Sequence, residues 1–321
     1  MEIILDDVQF DIEPLSSQTY ENMTVIPIKT TTTFKQDILT LKKGLEMGIV
    51  IVTECNTSTV NKVLVKNNAI TPLILVDGDE ITGAMQNRII NTTTLVPPKT
   101  SLEVSVSCTE HGRWHYHGEG NHGMGNNPDK TFSSSEYIAN SRTRMAKHLA
   151  LHENRDYQNE VWSSIRNLEY DISFASKTSA LNDSYENLKE EQNDYLKHFK
   201  LQDGQCGIIA IADNEIKGVE FFYNPAIYRQ YHEKILRSYI IDDIADRKKG
   251  LKRNSNDLEK IEKNLNMVQE DISKSKFERI KGEGLGDNIR FSNKYGTGSA
   301  LIYENSVIHM PYFKNLDAVK D

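Results

Sequence analysis

The feature that most constrains the fold of this chain is a pattern of short β-branched runs that end at turn residues, because such runs form strands. Residues 49–53, 60–66 and 71–76 are rich in Val, Ile and Thr and lie between Gly, Asn, Pro and Asp. The pattern returns at 205–223, where Asp213-Asn214 separates two apolar runs as the turn of a hairpin would. The sequence therefore predicts strands in two separate parts of the chain.

The stretches between these strand patterns have helical spacing and are polar on most faces. They are too polar to build a core alone, so we expect the β-rich regions to pack as one body with helices outside. The sequence thus predicts an α+β fold in a single domain over 1–321, with β-rich parts at 20–116 and 205–312 and mainly helical parts at 135–200 and 225–280.

Two helix starts are marked by capping residues. Ser133 with Glu136 has the spacing of a capping box and predicts a helix through 141–152. Asn224-Pro225 supplies an N-cap and a first helical residue, which predicts a second helix running to about residue 246.

A third helical segment, at 251–276, has apolar residues at heptad positions. Asn256 with Glu259 has the spacing of its capping box, so we expect one continuous helix that packs against another helix, within the chain or across a dimer. For the segment as a whole we favour packing on its own domain over a projecting helical arm.

Charge and cysteine content narrow the class of protein. The chain has 46 Asp and Glu against 38 Lys and Arg, and this net charge of -8 disfavours binding to duplex nucleic acid. Cys55, Cys108 and Cys206 make no disulfide framework and favour a reducing compartment. No leader sequence and no apolar run of transmembrane length is visible, so we expect a cytoplasmic protein without membrane contact.

The densest set of chemically capable residues lies at 77–116. It combines carboxylates that could act as bases, a run of three donors, a thiol, two guanidinium groups and an indole ring. Its members are Asp77, Asp79, Glu80, Gln86, Asn87, Arg88, Cys108, Glu110, Arg113 and Trp114.

Two interpretations of the Gln86-Asn87-Arg88 run stay open. Consecutive side chains on a strand point to opposite faces, so these three converge only in a turn. In one interpretation Gln86 and Arg88 grip a polar ligand, with Arg88 as a fork for phosphate or carboxylate. In the other, Arg88 forms a structural ion pair with Glu80 or Glu110 and the amides satisfy loop backbone, as most polar turns do.

The two halves of the dense segment are expected to lie side by side. Residues 91–104 between them are long enough for a turn and a returning strand, and Pro97-Pro98 supports a bend. We therefore expect two guanidinium groups and two carboxylates to converge on one pocket. The guanidinium groups belong to Arg88 and Arg113, and the carboxylates belong to Glu80 and Glu110.

Cysteine and histidine chemistry gives weaker signals. Cys108 ends an alternating run, where a free cysteine is most often a small buried hydrophobe, and as a nucleophile it would need a nearby cation or His. A metal site is only weakly indicated, because short His motifs are often accidental; its candidates are His111, His115, His117 and His122. The glycines at 118–125 spell neither a P-loop nor a dinucleotide motif, and the sequence identifies no cofactor.

Two segments carry a family resemblance: VDGDEITGAMQNRIINTTTLVPP at 76–98 and VSVSCTEHGRW at 104–114. They resemble the motifs of the ARG and rhodanese-phosphatase-superfamily-associated protein domain family. The resemblance continues at 218–222 and through Arg290 and His309, so it spans most of the chain. Asp79 with Ile81 departs from the family's usual acidic-leucine run.

The resemblance implies a role in NAD or ADP-ribose metabolism, since the family is named for association with ADP-ribosylglycohydrolases and rhodanese-phosphatase proteins. The chain would bind or process a phosphate-bearing, nucleotide-like ligand, as a hydrolase if it is an enzyme. The alternative is a non-catalytic sensor or scaffold in an ADP-ribose-processing or defence system, with a second copy or an ADP-ribose-processing protein as partner. In the first case the catalytic residues would be Glu80, Glu110 and Cys108, and the ligand would contact Gln86, Asn87, Arg88, Arg113, Trp114, Arg290 and His309.

Overall fold

The computed structural model describes residues 1–32, 34, 36–55, 60–113, 130–250 and 258–315, with the backbone alone for 258–265. Its strands are β1 (Glu2–Leu5), β2 (Val8–Asp11), β3 (Glu13–Pro14), β4 (Gln18–Tyr20), β5 (Met23–Lys29), β6 (Leu39–Thr40), β7 (Val50–Glu54), β8 (Lys62–Asn67), β9 (Leu73–Leu75), β10 (Asp79–Gly83), β11 (Arg88–Ile90), β12 (Thr94–Val96), β13 (Thr100–Cys108), β14 (Phe132–Ile138), β15 (Gly207–Ala212), β16 (Glu215–Phe222), β17 (Lys276–Lys281), β18 (Asp287–Asn293), β19 (Gly296–Tyr303) and β20 (Ser306–Lys314). Its helices are α1 (Leu41–Glu46), α2 (Ser141–His152), α3 (Tyr157–Asp171), α4 (Leu181–Asn187), α5 (Lys189–Leu196), α6 (Pro225–Lys248) and α7 (Leu258–Ser273). The predicted α+β class is confirmed.

The largest sheet has the order β17-β18-β19-β20-β16-β15-β5-β3, and β4 also pairs with β5. The predicted hairpin β15–β16 lies near its centre, and Asp213 and Asn214 both have positive φ, as a type I′ turn requires. Strand β5 adds to the other edge of β15, with Ile28 opposite Gly207. Strands from both β-rich regions therefore share one sheet.

The first β-rich region also forms sheets of its own. A six-stranded sheet has the order β14-β10-β11-β13-β8-β7, and a three-stranded sheet has the order β12-β9-β6. All pairs in the six-stranded sheet are antiparallel, whereas β6 and β9 run parallel. Strands β10, β11 and β13, which carry the dense segment, are therefore direct neighbours.

Apolar side chains cover both faces of the large sheet. Along β15, Ile208 and Ala210 pack in a cluster with α3, α5 and α6, while Ile209 and Ile211 pack in another with β1, β2 and α7. This alternation follows from the two-residue period of a strand. The β15 strand is apolar throughout because both of its faces are buried.

Helix α6 is the longest helix of the described chain and is buried along most of its length. It begins where the sequence predicts, because the Asn224 side chain accepts a hydrogen bond of 2.7 Å from the Ala226 N–H and Pro225 occupies the first turn. The helix contacts β5, β14, β15 and β16, so it joins the large sheet to the sheet that carries the dense segment.

Three boundaries in the sequence prediction are wrong. The supposed capping box of Ser133 and Glu136 lies in β14, whose pairing with β10 determines its conformation, and α2 begins beyond it with Asn140 as N-cap. Residues 276–280, at the end of the part expected to be mainly helical, belong to β17 at the edge of the large sheet. Residues before 20 contribute the hairpin β1–β2, which the predicted β-rich region left out.

The heptad segment forms α7 in its described part, and Asn256 lies outside the described residues. Among the described residues, Val268 and Ile272 pack against strands of the large sheet and the β1–β2 hairpin, where a helix was expected as the partner. Heptad spacing and the spacing of any amphipathic helix on a sheet are nearly the same, which is why the sequence could not separate them. These side chains support packing on the same domain, and a dimer contact remains a prediction.

In the described chain, no helix combines the length and the apolar character that crossing a membrane requires.

Candidate functional site

The run Gln86-Asn87-Arg88 lies where β11 begins, beside the end of β13. Arg88 is directly opposite Cys108, and opposite residues of an antiparallel pair share a face. The Arg88 Nη1 group accordingly lies 2.8 Å from the Cys108 Sγ atom and donates to Gln86 Oε1 at 2.8 Å. Arg88 is 1% exposed, so these contacts are enclosed.

The second guanidinium, that of Arg113, ties the segment after β13 to the turn before β11. Its Nη2 lies 2.8 Å from Glu110 Oε2, and its Nη1 donates to the Ala84 carbonyl at 2.7 Å. Asn87 Oδ1 and the Gly83 carbonyl accept further bonds from Nη2. We call this linked set the Arg88 cluster: Gln86, Asn87, Arg88, Cys108, Glu110 and Arg113.

The amides of the Arg88 cluster satisfy the backbone. Gln86 Nε2 donates to the Glu110 carbonyl at 2.7 Å, and Asn87 Oδ1 accepts from the Gly83 N–H at 3.3 Å. The ion pair predicted for Arg88 with Glu80 or Glu110 is not found among the described residues. Glu110 pairs with Arg113 instead, and Arg88 lies 3.6 Å from Glu54. The geometry thus matches the structural interpretation of this run more closely than a ligand grip.

Cys108 does not have the environment of an activated nucleophile. Burial raises the pKa of its thiol, and the neighbouring Arg88 offsets only part of this effect. The side chain is 3% exposed, so the thiol is enclosed as well as protonated at neutral pH.

Glu80 lies on the other face of the sheet from Arg88. Glu80 pairs with Ile89 and Ile81 pairs with Arg88, and neighbouring residues on a strand point to opposite faces. The expected convergence of Glu80 with Arg88 on one pocket is therefore wrong, although Glu110 and Arg113 do join Arg88 through Gln86 and Asn87.

Glu80 is fully enclosed, and neutral groups hold its carboxyl. Thr109 Oγ1 donates to Oε1 at 3.0 Å, Ser135 Oγ donates to Oε2 at 2.9 Å and Asn182 Nδ2 lies 3.4 Å from Oε2. Burial, only partly opposed by these hydrogen bonds, raises the pKa of Glu80 to about 7. A carboxyl with this pKa exchanges its proton near neutrality, which is a property of acid–base groups.

The remaining candidates are dispersed. Arg290 on β18 is half-buried and lies 3.5 Å from the Leu151 carbonyl. His111 is exposed, with its ring edge-on to Trp162 at 4.7 Å. Trp114 and the weak metal candidates His115, His117 and His122 lie outside the described residues. Among the residues that are described, no three His, Cys, Asp or Glu side chains are placed to share a metal ion.

A buried charge network between α2 and the sheets is the feature that the sequence prediction missed. Asp77, just before β10, accepts from Arg144 Nε at 3.1 Å and from Lys147, and its Oδ2 lies 3.0 Å from His148 Nε2. Burial raises the pKa of Asp77, but the cations around it outweigh burial and hold the pKa well below its usual range. Burial lowers the pKa of Lys147 more than Asp77 raises it.

Glu220 on β16 extends the buried charge network to the large sheet. Arg144 donates to both of its oxygens, at 2.5 and 3.2 Å, and Tyr239 OH donates at 3.1 Å. Thr93 Oγ1 accepts from the Asp77 N–H at 3.1 Å and forms a hydrogen bond of 2.7 Å with His309 Nδ1. His309, predicted as a ligand contact, is thus a fully buried member of this network.

The described surface also holds a basic pocket of about 410 Å³ between α6, β14 and α1. At its base Lys234 is 5% exposed and donates to Asp79 Oδ1 at 2.7 Å. Five of the lining side chains are cationic and two are carboxylates. The basic pocket is lined by Lys42, Glu136, Tyr137, Lys189, Arg229, Gln230, Glu233, Lys234 and Arg237.

Together these features define an α+β protein with several antiparallel sheets, buried ion pairs at the junction of its sheets and a basic surface pocket. The chain belongs to the ARG and Rhodanese-Phosphatase-superfamily-associated Protein domain family, whose model matches residues 11–313. The family predicted from the 76–98 and 104–114 motifs is therefore confirmed. Comparison with curated proteins gave no match, and neither did comparison with solved structures.

Proposed function

We propose that the chain binds a phosphate-bearing, nucleotide-like ligand and that the basic pocket holds its phosphate groups. The proposal keeps the ligand class that the family resemblance implies and moves its binding site from the Arg88 cluster to the pocket beside α6. The volume of about 410 Å³ falls in the usual range of roughly 300–1,000 Å³ for small-molecule sites.

The observation that carries the proposal is the unequal pairing of the cations in this pocket. Each of its three lysines has a carboxylate at 2.7–3.0 Å: Lys42 pairs with Glu136, Lys189 with Glu186 and Lys234 with Asp79. In the described part of the chain, no carboxylate lies within 4.0 Å of the guanidinium groups of Arg229 and Arg237. Arg237 donates instead to the amide oxygen of Asn193 at 2.7 Å.

Guanidinium groups without a carboxylate partner suit a phosphate. Each has a planar fork of N–H donors that matches two phosphate oxygens, and a charged acceptor gives stronger hydrogen bonds than an amide does. Lys234 also lines the pocket and is held in place by Asp79, whose other carboxylate oxygen accepts a hydrogen bond from Tyr231. The excess of cations over carboxylates therefore favours an anionic ligand.

The family description supports the nucleotide class of ligand. It associates the domain with ARG and rhodanese-phosphatase-superfamily proteins. The resemblance takes ARG to stand for ADP-ribosylglycohydrolases, which act on molecules that carry an adenosine diphosphate group. A ligand such as ADP-ribose or NAD would then be common to them and to this chain.

We propose binding without turnover. Glu80 has the pKa of a proton-transfer group, but it is enclosed behind β14 and does not line the basic pocket. The chain would then act as a sensor or a partner of an enzyme that processes the ligand. Release of products from ADP-ribose or NAD by the purified protein would contradict this part of the proposal.

Isothermal titration with ADP-ribose, NAD, AMP, inorganic phosphate and uncharged ribose tests the proposal directly. We expect the phosphate-bearing compounds to bind and ribose not to bind. The double variant Arg229→Gln/Arg237→Gln should weaken binding at least about tenfold, since each lost charged hydrogen bond is worth about 1.5–3 kcal/mol.

The control is Arg155→Gln/Lys197→Gln, which removes two exposed cations that lie elsewhere on the chain and are paired with carboxylates. It changes the net charge equally, so it should leave affinity unchanged. Wild-type protein that binds none of the phosphates, or equal loss in the two double variants, would refute the proposal.

A further inference from the structure

Charged groups alternate in sign along the side of α6 that lines the basic pocket. Arg229, Glu233 and Arg237 have the spacing i, i+4 and i+8 on this helix, and all three side chains line the pocket. Residues four apart lie on the same side of a helix, about 6 Å apart along its axis. The pocket therefore presents a cation, a carboxylate and a second cation in a row about 12 Å long.

The carboxylate in the middle of this row is open to a ligand. Glu136, the other carboxylate of the pocket, bonds Lys42 at 3.0 Å. Glu233 is exposed, and in the part of the chain that the structure describes no cationic nitrogen lies within 4.0 Å of it and no donor bonds it. Both of its oxygens can therefore accept hydrogen bonds from a bound molecule.

The two arginines at the ends of the row are separate anion sites. Arg237 is half-buried and its Nη2 is held by Asn193, whereas Arg229 is exposed and has no hydrogen bond within the described chain. Each guanidinium can hold a phosphate through paired N–H donors. A continuous chain of phosphates that reached both arginines would place negative charge against Glu233, which repulsion between like charges disfavours.

The order of these groups matches a nucleotide that is phosphorylated on both sides of its ribose. Phosphates on the 5′ carbon and on the 2′ or 3′ carbon are separated by the sugar, and the remaining ribose hydroxyl is a hydrogen-bond donor. Phosphate, hydroxyl and phosphate then lie opposite cation, carboxylate and cation. In NAD and ADP-ribose the order is reversed, because the diphosphate lies between two riboses, so their phosphates reach one arginine only.

We propose that the basic pocket selects a nucleoside that carries one phosphate on its 5′ carbon and another on its 2′ or 3′ carbon. Arg229 and Arg237 each hold one phosphate, and Glu233 accepts a hydrogen bond from the remaining ribose hydroxyl. This inference rests on the proposed function, because it uses the same pocket for phosphate and adds the class of nucleotide.

Titration calorimetry on the full chain with adenosine 3′,5′-bisphosphate, AMP and ATP separates the spacing of phosphates from their charge. ATP has as much charge as the bisphosphate but carries all its phosphates on one side of the ribose. We expect the bisphosphate to bind at least about tenfold more tightly than AMP or ATP, because it makes a second set of charged hydrogen bonds. Adenosine 2′,5′-bisphosphate, measured in parallel, distinguishes a 2′ from a 3′ phosphate, and tight binding of either isomer supports the proposal.

Single variants test whether the two arginines hold different phosphates. Arg229→Gln should weaken binding of the bisphosphate at least about tenfold and change AMP affinity much less, because AMP can use Arg237. Arg237→Gln should do the same, with AMP at Arg229. The control is Arg155→Gln, at an exposed arginine outside the pocket, and it should change neither affinity.

The contact with the ribose hydroxyl has a test of its own. Wild-type protein should prefer adenosine 3′,5′-bisphosphate to its 2′-deoxy analogue, and Glu233→Ala should remove that preference. Loss of a carboxylate from a basic pocket raises the affinity for every anion, so the comparison of the two ligands within one variant isolates the hydroxyl. Glu153→Ala, at an exposed carboxylate outside the pocket, should keep the preference.

Two results would overturn this inference and leave the proposed function standing. One is binding of AMP or ATP as tightly as both bisphosphates, and the other is a Glu233→Ala variant that still prefers ribose to deoxyribose. If none of these nucleotides binds the wild-type protein, the proposed function fails and this inference fails with it.

Discussion

Glu80 allows a quantitative test of how this fold holds a buried carboxyl group. It is 0% exposed, its contacts are with two hydroxyls and an amide, and its pKa is raised to about 7 from an ordinary value of 4.5. The folded protein thus retains a proton at pH values where the unfolded chain has lost it. Stability contributed by protonated Glu80 is fully present below pH 4.5 and is lost as the pH rises through about 7.

The expected magnitude follows from that difference in pKa. At about 1.4 kcal/mol for each unit, deprotonation of Glu80 in the folded state lowers the free energy of unfolding by about 3 kcal/mol at pH well above 7. Glu80→Gln removes the titration. Gln can keep its oxygen toward Ser135 and Asn182 and turn its NH₂ group to Thr109, whose hydroxyl oxygen can accept.

Urea unfolding of wild type and Glu80→Gln at pH 5 to 8.5 is the measurement. The difference in free energy of unfolding should move in favour of the variant by about 2–3 kcal/mol across this range, most of it between pH 5 and 7. Other groups that titrate cancel in the difference between the two proteins. A difference that is constant with pH would show that Glu80 does not retain its proton and would refute the argument.

Two further predictions concern the Arg88 cluster and the buried charge network. Arg88→Met should change the free energy of unfolding by no more than about 2 kcal/mol and leave nucleotide affinity unchanged. Arg113→Met should lower the free energy of unfolding by about 3–5 kcal/mol, because it leaves Glu110 unpaired. Equal losses for the two variants in urea unfolding would contradict this prediction. Asp77→Asn should likewise lower the free energy of unfolding by about 3–5 kcal/mol, because the cations around Asp77 lose their shared carboxylate. Adding Lys147→Met should restore part of this lost stability. Strict additivity in the double variant would show that Asp77 and Lys147 are not coupled.

Local signals in the sequence were reliable where local chemistry determines the structure. The Asp213-Asn214 turn and the Asn224-Pro225 helix start depend on conformations and caps within a few residues, and both are as predicted. Ser133 and Glu136 have an equally good local signal for a helix, yet they form a strand because β10 offers β14 a partner that is distant in sequence. A local sequence pattern carries no information about strand pairing between distant segments, so it could not predict this strand.

For the Arg88 cluster, the sequence predicted which segments lie together but not the geometry of their side chains. The sequence placed Arg88, Glu110 and Arg113 together, and they are joined, since the segments that carry them are adjacent strands and turns. It also placed Glu80 with them, which the β10–β11 register excludes, because a shift of one residue moves a side chain to the other face. Register comes from packing over the whole sheet, so residue types alone could not fix it.

Helix α2 shows why the spacing of apolar residues does not predict a buried helix face that is charged. Arg144, Lys147 and His148 are spaced as one helical face and are buried, but they face carboxylates where most helices place Leu or Ile. Replacing such pairs by apolar residues is often neutral for stability, so stability alone does not account for them. The pairs to Asp77 and Glu220 do fix the rotation and axial position of α2, because each bond requires a defined geometry. The opposite face of α2, with Arg142 and Met145, lines a cavity of about 890 Å³. We therefore infer that the buried charges position the wall of that cavity, which Asp77→Asn should disturb even though Asp77 lies outside it.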